Sequence, residues 1–482
     1  MKVPHVKLQD RAALSTLIWS RVLSVLSLSL VTLWIFTTLL LPRQSAVAAS
    51  QVVAPEHSAD LRNSEVMTYH TFLPFVMNNY PIDSAFGVQM YGALSASTGF
   101  TYVVESKAGW VRFQVRWSLV EPDNRSPENY NWDYLDMSVQ NAQNAGVNAI
   151  FTIESNPTWA AAQSGGPVTN TADLQEFVSA IVARYPFVRY WEIYNEPDRV
   201  GRFGNKGKTY AELLASLYPV IKTANPEAQL VMGGLASDWF IDQGGPFDRN
   251  FLTDTLKYCA GTCFDVANFH YYPGFRSEWE SYGHDIIGKA NYVRQILNAH
   301  GYGRPIFATE TGWPAGTNTG SPELAARYVP KVFARSLAAG LRAAIWFAML
   351  DADSSSPGLL DSSYMPGYLI PRPGYAAFQT LTTLMAGAKY VATVPLSSPL
   401  EGYQFLANGK RLDVYWYDCP SLAMPQAQDC GSTMTLRIAA AQIAKYDPLG
   451  NKTVVNDVDD GVQDGAITFS VGTSPIYVTY EP

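Results

Sequence analysis

Short apolar segments alternate with segments of helical periodicity between residues 84 and 385. The intervening segments repeat apolar residues every three or four positions, as in 171–185 and 322–339. Thr171 and Ser321 are residue types that cap helix N-termini, so we expect helices to begin there. Eight apolar runs have the length of strands, namely 86–91, 110–115, 149–153, 190–194, 229–233, 264–269, 305–309 and 342–347.

Strands that alternate with helices predict parallel pairing through right-handed crossovers. Eight such units in about 300 residues have the dimensions of a (β/α)8 TIM barrel, and a helix over 375–385 would close it. A doubly wound open sheet is the alternative, but it usually carries a glycine-rich phosphate turn after an early strand. The first strand here ends in Tyr91-Gly92-Ala93-Leu94 instead. The sequence therefore predicts an α/β fold, with a barrel over 84–385.

The hydrophobic pattern changes after residue 385. Short alternating segments occur at 390–394, 411–417, 433–438, 466–471 and 476–480. Turn signals such as Asn408-Gly409 separate them. This pattern predicts a small all-β sandwich as an accessory domain over residues 386–482.

The first residues have the order of a secretory signal. Basic residues precede an uncharged apolar run at 22–41, and small residues typical of a cleavage site follow at 46–48. The run is also long enough to span a bilayer. Residues 1–48 are therefore either a cleaved signal peptide or an uncleaved signal anchor, and 49–83 is a predicted linker. In both cases the remainder of the chain is expected outside the cytoplasm.

The composition and charge of the chain indicate which kinds of ligand it can be expected to bind. The formal net charge is -8, and charged residues make up only 16% of the chain, whereas aromatic residues make up 13%. Binding to nucleic acid requires clustered Lys and Arg, so this balance argues against it. An acidic, aromatic-rich chain is better suited to a neutral ligand.

The four cysteines form two close pairs along the chain, Cys259 with Cys263 and Cys419 with Cys430. Four cysteines allow three connectivities. Because each pair is local and the pairs fall in different predicted domains, we expect two local disulfides, as export would favour. A metal site at Cys259 and Cys263 is the alternative, but no second Cys or His pair follows at zinc spacing.

Two glutamates stand at the ends of predicted strands. Glu196 follows the fourth strand and Glu310 ends the seventh. Catalytic residues of (β/α)8 barrels lie at these strand ends, and the fourth and seventh strands face each other across the barrel mouth. A single glutamate in such a place is often a loop carboxylate in a salt bridge. The pair together indicates the roles of acid and nucleophile.

The motif Asn195-Glu196-Pro197, with Glu310 on the seventh strand, resembles the clan A glycoside hydrolases, particularly families 5 and 39. The resemblance covers residues 84–385. It implies a retaining β-glycosidase in which Glu196 is the general acid/base and Glu310 is the nucleophile. It also implies that the enzyme needs no metal and no organic cofactor.

Further positions match the pattern of this clan. Arg112 resembles the second-strand arginine that supports the nucleophile, and His270 and Tyr272 resemble the sixth-strand His-x-Tyr pair. Trp346 resembles the eighth-strand tryptophan beneath the sugar. Asn195 is implied to contact the sugar 2-hydroxyl. These five residues are the predicted substrate-binding set.

The chemistry requires two nearby carboxyl groups with different protonation. Bonds from Arg112 and Tyr272 to Glu310 would keep that carboxylate ionised, whereas Glu196, without a cation, would retain its proton. The predicted substrate is an oligosaccharide or polysaccharide. Two alternatives stay open: a non-catalytic carbohydrate-binding envelope protein on a degenerate barrel, and a transglycosylase that shares every residue named. Membrane contact is expected only through an uncleaved anchor at 22–41.

Overall fold

The computed structural model describes residues 84–259, 263–313, 321–351, 358–363, 367–419 and 430–480. The predicted signal segment 1–48, with the alternative anchor, and the predicted linker 49–83 lie outside these residues. The barrel and the strands that follow it belong to one unit of the chain. Within the described ranges, the helices are too short or too polar to cross a membrane.

Eight parallel strands form the barrel, which confirms the predicted fold class. The strands are β1 (Phe86–Met90), β2 (Trp110–Arg116), β3 (Asn148–Glu154), β4 (Tyr190–Ile193), β5 (Gln229–Met232), β6 (Ala267–Tyr271), β7 (Ile306–Thr311) and β8 (Ala343–Trp346). Their order in the sheet is β5-β4-β3-β2-β1-β8-β7-β6. Parallel bridges from Val231 to Val266 and from Leu235 to Phe269 join β5 to the segment of β6, so the barrel is nearly closed.

Helices follow the strands and bury their apolar faces against them. Ser321 caps its helix as predicted, but Asn170 rather than Thr171 is the cap of the other, because the Asn170 side chain accepts a hydrogen bond from the Ala172 amide. The helices are α1 (Phe100–Glu105), α2 (Trp117–Val120), α3 (Asp133–Ala145), α4 (Thr171–Arg184), α5 (Gly207–Ala224), α6 (Phe251–Tyr258), α7 (Ile286–Ala299), α8 (Pro322–Ala338) and α9 (Pro373–Leu384).

The barrel interior has an apolar layer below a polar layer. The apolar layer contains Trp110, Ile150, Val231, Val266, Phe307, Ala343 and Ile345. Because alternate residues of a strand share a face, the residues two positions later also point inward. They include the buried polar residues Arg112, Thr152, Asn268 and Thr309. Buried polar side chains therefore lie inside the barrel near the C-terminal ends of its strands.

Antiparallel strands follow the barrel and form the predicted sandwich. The strands are β11 (Lys389–Thr393), β12 (Leu400–Ala407), β13 (Lys410–Tyr417), β14 (Met434–Ala439), β15 (Gln442–Tyr446), β16 (Lys452–Asn456), β17 (Ala466–Val471) and β18 (Ile476–Tyr480). A six-stranded sheet has the order β11-β12-β13-β18-β15-β16, and β14 pairs with β17. A separate pair, β9 (Leu360–Asp361) and β10 (Ile370–Pro371), precedes α9.

The sequence did not predict β12, β15 or β16. Gly402 interrupts the β12 pattern, but a Cβ there would lie 2.6 Å from the Tyr415 ring, so the close approach requires glycine.

Buried ion pairs join the sandwich to the barrel. Arg335 of α8 donates to both carboxylate oxygens of Glu401 on β12, at 2.9 and 2.6 Å, and to Asp285 at 2.5 Å. The charges of these carboxylates outweigh the effect of burial and raise the pKa of Arg335 well above its ordinary value. The arginine therefore stays charged within the junction.

Both predicted disulfides are present. Cys259 is bonded to Cys263, directly after α6, and Cys419 is bonded to Cys430 in the sandwich. The local pairing expected from the sequence is therefore confirmed. It also removes both thiols that a metal site at Cys259 and Cys263 would need.

Candidate active site

Arg112 of β2 is the centre of a buried hydrogen-bond network. Its guanidinium donates to Glu192 from Nε at 2.6 Å and from Nη2 at 3.0 Å. Nη1 donates to Glu310 Oε1 at 2.7 Å and to Gln89 Oε1 at 3.0 Å. Burial opposes the charge, but the two glutamates raise the pKa of Arg112 above its ordinary value. Arg112 is therefore a fixed cation in the site.

Glu192 is a buried acidic residue that sequence reasoning did not select. Besides Arg112, it accepts hydrogen bonds from Thr152 at 2.7 Å, Asn268 at 2.9 Å and the Gly234 amide at 3.0 Å. Burial opposes its ionisation, but the charge and hydrogen bonds of Arg112 lower the pKa of Glu192. The feature of the sequence that could have identified Glu192 is its place inside β4, a four-residue strand whose other residues are uncharged.

Glu310 has a hydrogen-bond donor on each carboxylate oxygen. Arg112 holds Oε1, and the Tyr272 hydroxyl donates to Oε2 at 3.1 Å. The register of β7 against β8 shifts between Ala308 and Thr311. This irregularity lets Glu310 reach the interior although the preceding Thr309 also points there, bonded to Asn268 at 2.8 Å.

Glu196 lies directly after β4, opposite Glu310. His270 Nδ1 is 3.4 Å from Glu196 Oε1 and 3.4 Å from Glu310 Oε2. One atom from each of the three side chains lies within 4.8 Å of the other two. Burial raises the pKa of Glu196, but the hydrogen bond and charge of His270 outweigh it and lower the pKa. The charges of Arg202 and Arg199 act in the same direction, so the expectation that Glu196 has no nearby cation is corrected.

Asn195 is oriented by the same arginine. Its side-chain oxygen accepts a hydrogen bond from Arg112 Nη2 at 2.8 Å, and Arg202 donates to its backbone carbonyl. Because Arg112 binds the side-chain oxygen, the amide nitrogen of Asn195 points away from Arg112. The half-buried Asn195 can therefore offer N–H donors to a ligand beside Glu196 and Glu310.

Comparisons with known proteins agree with this geometry. Residues 76–347 match the model of the family described as Cellulase (glycosyl hydrolase family 5). The chain belongs to glycoside hydrolase family 5. It is therefore a glycosidase, acting on carbohydrate. A search of curated proteins gave no match.

Solved structures of other glycosidases share the fold of this family 5 enzyme. A family 39 glycoside hydrolase from Bacteroides cellulosilyticus WH2 is 18% identical, with a TM-score of 0.64, covering 82% of this chain and 81% of that one. A glucosidase from Croceicoccus marinus is 15% identical, with a TM-score of 0.59, covering 84% and 97%. A β-xylosidase from Caulobacter crescentus is 14% identical, with a TM-score of 0.55, covering 84% and 97%.

Trp346 of the family 5 enzyme does not join the other predicted site residues. It is only 2% exposed, and its ring packs near Tyr328 and Phe333 of α8. The inward-facing residues of β8 are Ala343 and Ile345, so Trp346 points outward and Phe347 is the next inward position. The Phe347 ring meets Tyr91 and Tyr272 edge to face, with centroids 5.9 and 6.4 Å away.

The cluster of Glu196, His270 and Glu310 also has a spacing that could hold a metal ion. Arg112 and Tyr272, however, already bond both oxygens of Glu310. A cation placed there would lie close to a fixed guanidinium. The arrangement favours acid–base and nucleophilic chemistry by the carboxyl groups themselves.

Proposed function

We propose that this enzyme is an extracytoplasmic retaining β-glycosidase that acts by double displacement. The observation that carries the proposal is the separation of carboxylate oxygens from Glu196 and Glu310, which is within 4.8 Å. Retaining glycosidases hold their carboxyl groups about 5 to 5.5 Å apart, whereas inverting enzymes leave about 6.5 to 9.5 Å for a water molecule. The close approach of one oxygen from each carboxylate supports the retaining arrangement in this site.

In the first step, Glu310 attacks the anomeric carbon and forms a glycosyl ester while the bond to the leaving oxygen breaks. Arg112 and Tyr272 keep the attacking carboxylate oriented through their hydrogen bonds. Asn195 donates to the sugar 2-hydroxyl, a contact that strengthens in the oxocarbenium-like transition state. The proton needed by the leaving oxygen comes from Glu196.

Burial raises the pKa of Glu196 and favours the protonated acid, whereas the hydrogen bond and charge of His270 lower that pKa. His270 Nδ1 lies 3.4 Å from an oxygen of each glutamate and so contacts the acid and the nucleophile together. A sugar bound over Glu196 would exclude water and add to the effect of burial, so that the acid holds its proton until the leaving oxygen takes it.

In the second step, Glu196 takes a proton from water, whose oxygen attacks the anomeric carbon and releases Glu310. A transglycosylase would use a sugar hydroxyl in place of that water. The similarity to a glucosidase and a β-xylosidase supports β-linked glucosides and xylosides as the first substrates to test. Export is supported by the signal-like residues 1–48 and by two disulfides.

The test is to replace Glu310 by alanine and Glu227, which is exposed on the surface, by alanine as a control. Glu310→Ala should abolish turnover of aryl β-glycosides, because no ester can form. Azide should restore product formation with inverted configuration, since it attacks from the side that the carboxylate has vacated. Wild-type activity in Glu310→Ala would contradict the assignment, and no turnover by the wild-type protein would favour the non-catalytic alternative.

A further inference from the structure

A buried lysine is bonded to the loop that follows β5, and the mechanism proposed above gives it no role. Lys289 belongs to α7, and its side chain has 0% exposure. Its ammonium donates to Asp238 Oδ1 at 2.5 Å and to the backbone carbonyl of Ala236. Lysine is almost never fully buried unless it is paired. Both partners belong to residues 233–238, which we call the β5 loop.

The β5 loop is bonded to the segment that carries Glu196. Asp198 is fully buried and accepts hydrogen bonds from the Ser237 amide at 2.8 Å, the Ser237 hydroxyl at 3.0 Å and the Ala236 amide at 3.3 Å. At the other end of the loop, the Glu196 amide donates to the Gly234 carbonyl at 3.1 Å. The loop therefore holds Glu196 itself and the residue two positions after it.

The backbone is strained on both sides of this contact. The φ angles of Glu196 and Ser237 are +44° and +41°, in the left-handed region that residues other than glycine rarely adopt. Such conformations persist only where the surrounding structure holds them. The hydrogen bonds between the two segments provide that restraint. Loss of an anchor of the β5 loop would let the Glu196 backbone relax and displace its carboxyl group.

The β5 loop also contacts His270. A Cβ on Gly234 would lie 2.1 Å from His270 Nε2, so only glycine allows this close approach. The His270 amide donates to the Leu235 carbonyl at 2.8 Å. On its other side, His270 Nδ1 lies 3.4 Å from Glu196 Oε1. A shift of the loop would therefore move the general acid and the imidazole beside it.

Lys289 also offsets negative charge in this region. Burial lowers the pKa of Lys289, and the charges of Asp238, Asp198 and Glu196 oppose that effect. The Trp279 ring lies beside the ammonium, with its centroid 5.0 Å from Nζ, and favours a cation there. Without Lys289, Asp238 would be a buried carboxylate that has lost its counter-charge. The ammonium is therefore an anchor of the β5 loop on α7.

We propose that Lys289 is a positioning residue for the general acid, and that it acts through the β5 loop and Asp198. The inference rests on the proposed function, because it takes Glu196 as the acid/base. Both steps that use Glu196 then depend on Lys289. These steps are protonation of the leaving oxygen and activation of the incoming water.

The test compares phenyl and dinitrophenyl β-glycosides of the same sugar as substrates of Lys289→Met, which keeps an unbranched side chain and removes the charge. The phenyl glycoside needs protonation to leave, so its kcat/KM should fall about ten-fold. For the dinitrophenyl glycoside, kcat/KM should change by about two-fold or less. Its kcat and KM should fall together, because hydrolysis of the glycosyl ester also needs Glu196.

Two further variants and a control accompany this comparison. Lys289→Arg keeps the cation and should restore part of the lost activity. Ser237→Ala removes one hydrogen bond to Asp198 and no charge, and it should lower kcat/KM for the phenyl glycoside about three-fold. Lys331→Met is the matched control, since Lys331 is another buried lysine, on α8 beside the Trp416 ring. It should change kcat/KM for both substrates by the same factor.

The possible outcomes separate this inference from the proposed function. Equal losses of Lys289→Met on both glycosides, or no loss on either, would overturn the positioning role and leave the proposed function standing. If Lys289→Met does not fold, Ser237→Ala decides by the same criterion. Hydrolysis of neither glycoside by the wild-type protein would overturn the proposed function as well.

Discussion

Replacing Glu192 by glutamine should lower the free energy of unfolding by about 3 to 5 kcal/mol, because it leaves a buried guanidinium with one counter-charge removed. Arg112 and Glu192 are 2.6 Å apart, and both side chains have 0% exposure. The pair formed by Arg189 and Glu227 is a matched control within the same barrel. Its atoms are 3.8 Å apart and its side chains are 61% and 73% exposed. Glu227→Gln should therefore change stability by about 1 kcal/mol or less.

The assay is urea unfolding followed by tryptophan fluorescence. Since the barrel and the sandwich need not unfold in one step, each transition is fitted separately. The loss caused by Glu192→Gln should appear in the barrel transition and should be at least three times that caused by Glu227→Gln. Equal small effects of the two substitutions would refute the view that Glu192 holds Arg112 in place.

Three further predictions test other parts of the structure. Trp346→Ala should cost about 3 to 5 kcal/mol of stability because it empties a core position, whereas Phe347→Ala should raise KM with little change in melting temperature. Burial, assisted by the charge of Glu196, raises the pKa of Asp198 to about 6. Ionisation of Asp198 should therefore remove about 3 kcal/mol of stability as the pH rises from about 4 to 6, and denaturation curves of Asp198→Asn should lack this contribution. Glu196→Ala should slow glycosides with poor leaving groups far more than dinitrophenyl glycosides, which should show a burst of phenol followed by slow turnover.

The barrel was predictable because its strands are buried on both faces and appear as continuous apolar runs between helical segments. For the same reason, the sequence could not predict which side chains of β8 point into the barrel. In Ala343-Ala344-Ile345-Trp346-Phe347 every residue is apolar, so the sequence does not tell which residues point inward. Trp346 was predicted to bind the sugar because of its resemblance to the eighth-strand tryptophan of clan A. In the structure, the alternation of side chains along the strand places Phe347, not Trp346, on the side of the active site.

The two carboxylates were predictable because each follows a recognisable strand. Glu192 and the bridging position of His270 were not, because both depend on contacts between strands far apart in the chain. Glu192 lies 80 residues from Arg112, and His270 lies 74 residues from Glu196. The sequence contains these residues, but only the structure shows that Arg112 donates hydrogen bonds to both Glu192 and Glu310.

The most direct test of double displacement is the configuration of the first product. Proton NMR during hydrolysis of an aryl β-glycoside by the wild-type enzyme should show the β-anomer of the free sugar before mutarotation produces the α-anomer. This result follows from the short separation of Glu196 and Glu310. Initial appearance of the α-anomer would show a single displacement by water and would contradict Glu310 as the nucleophile.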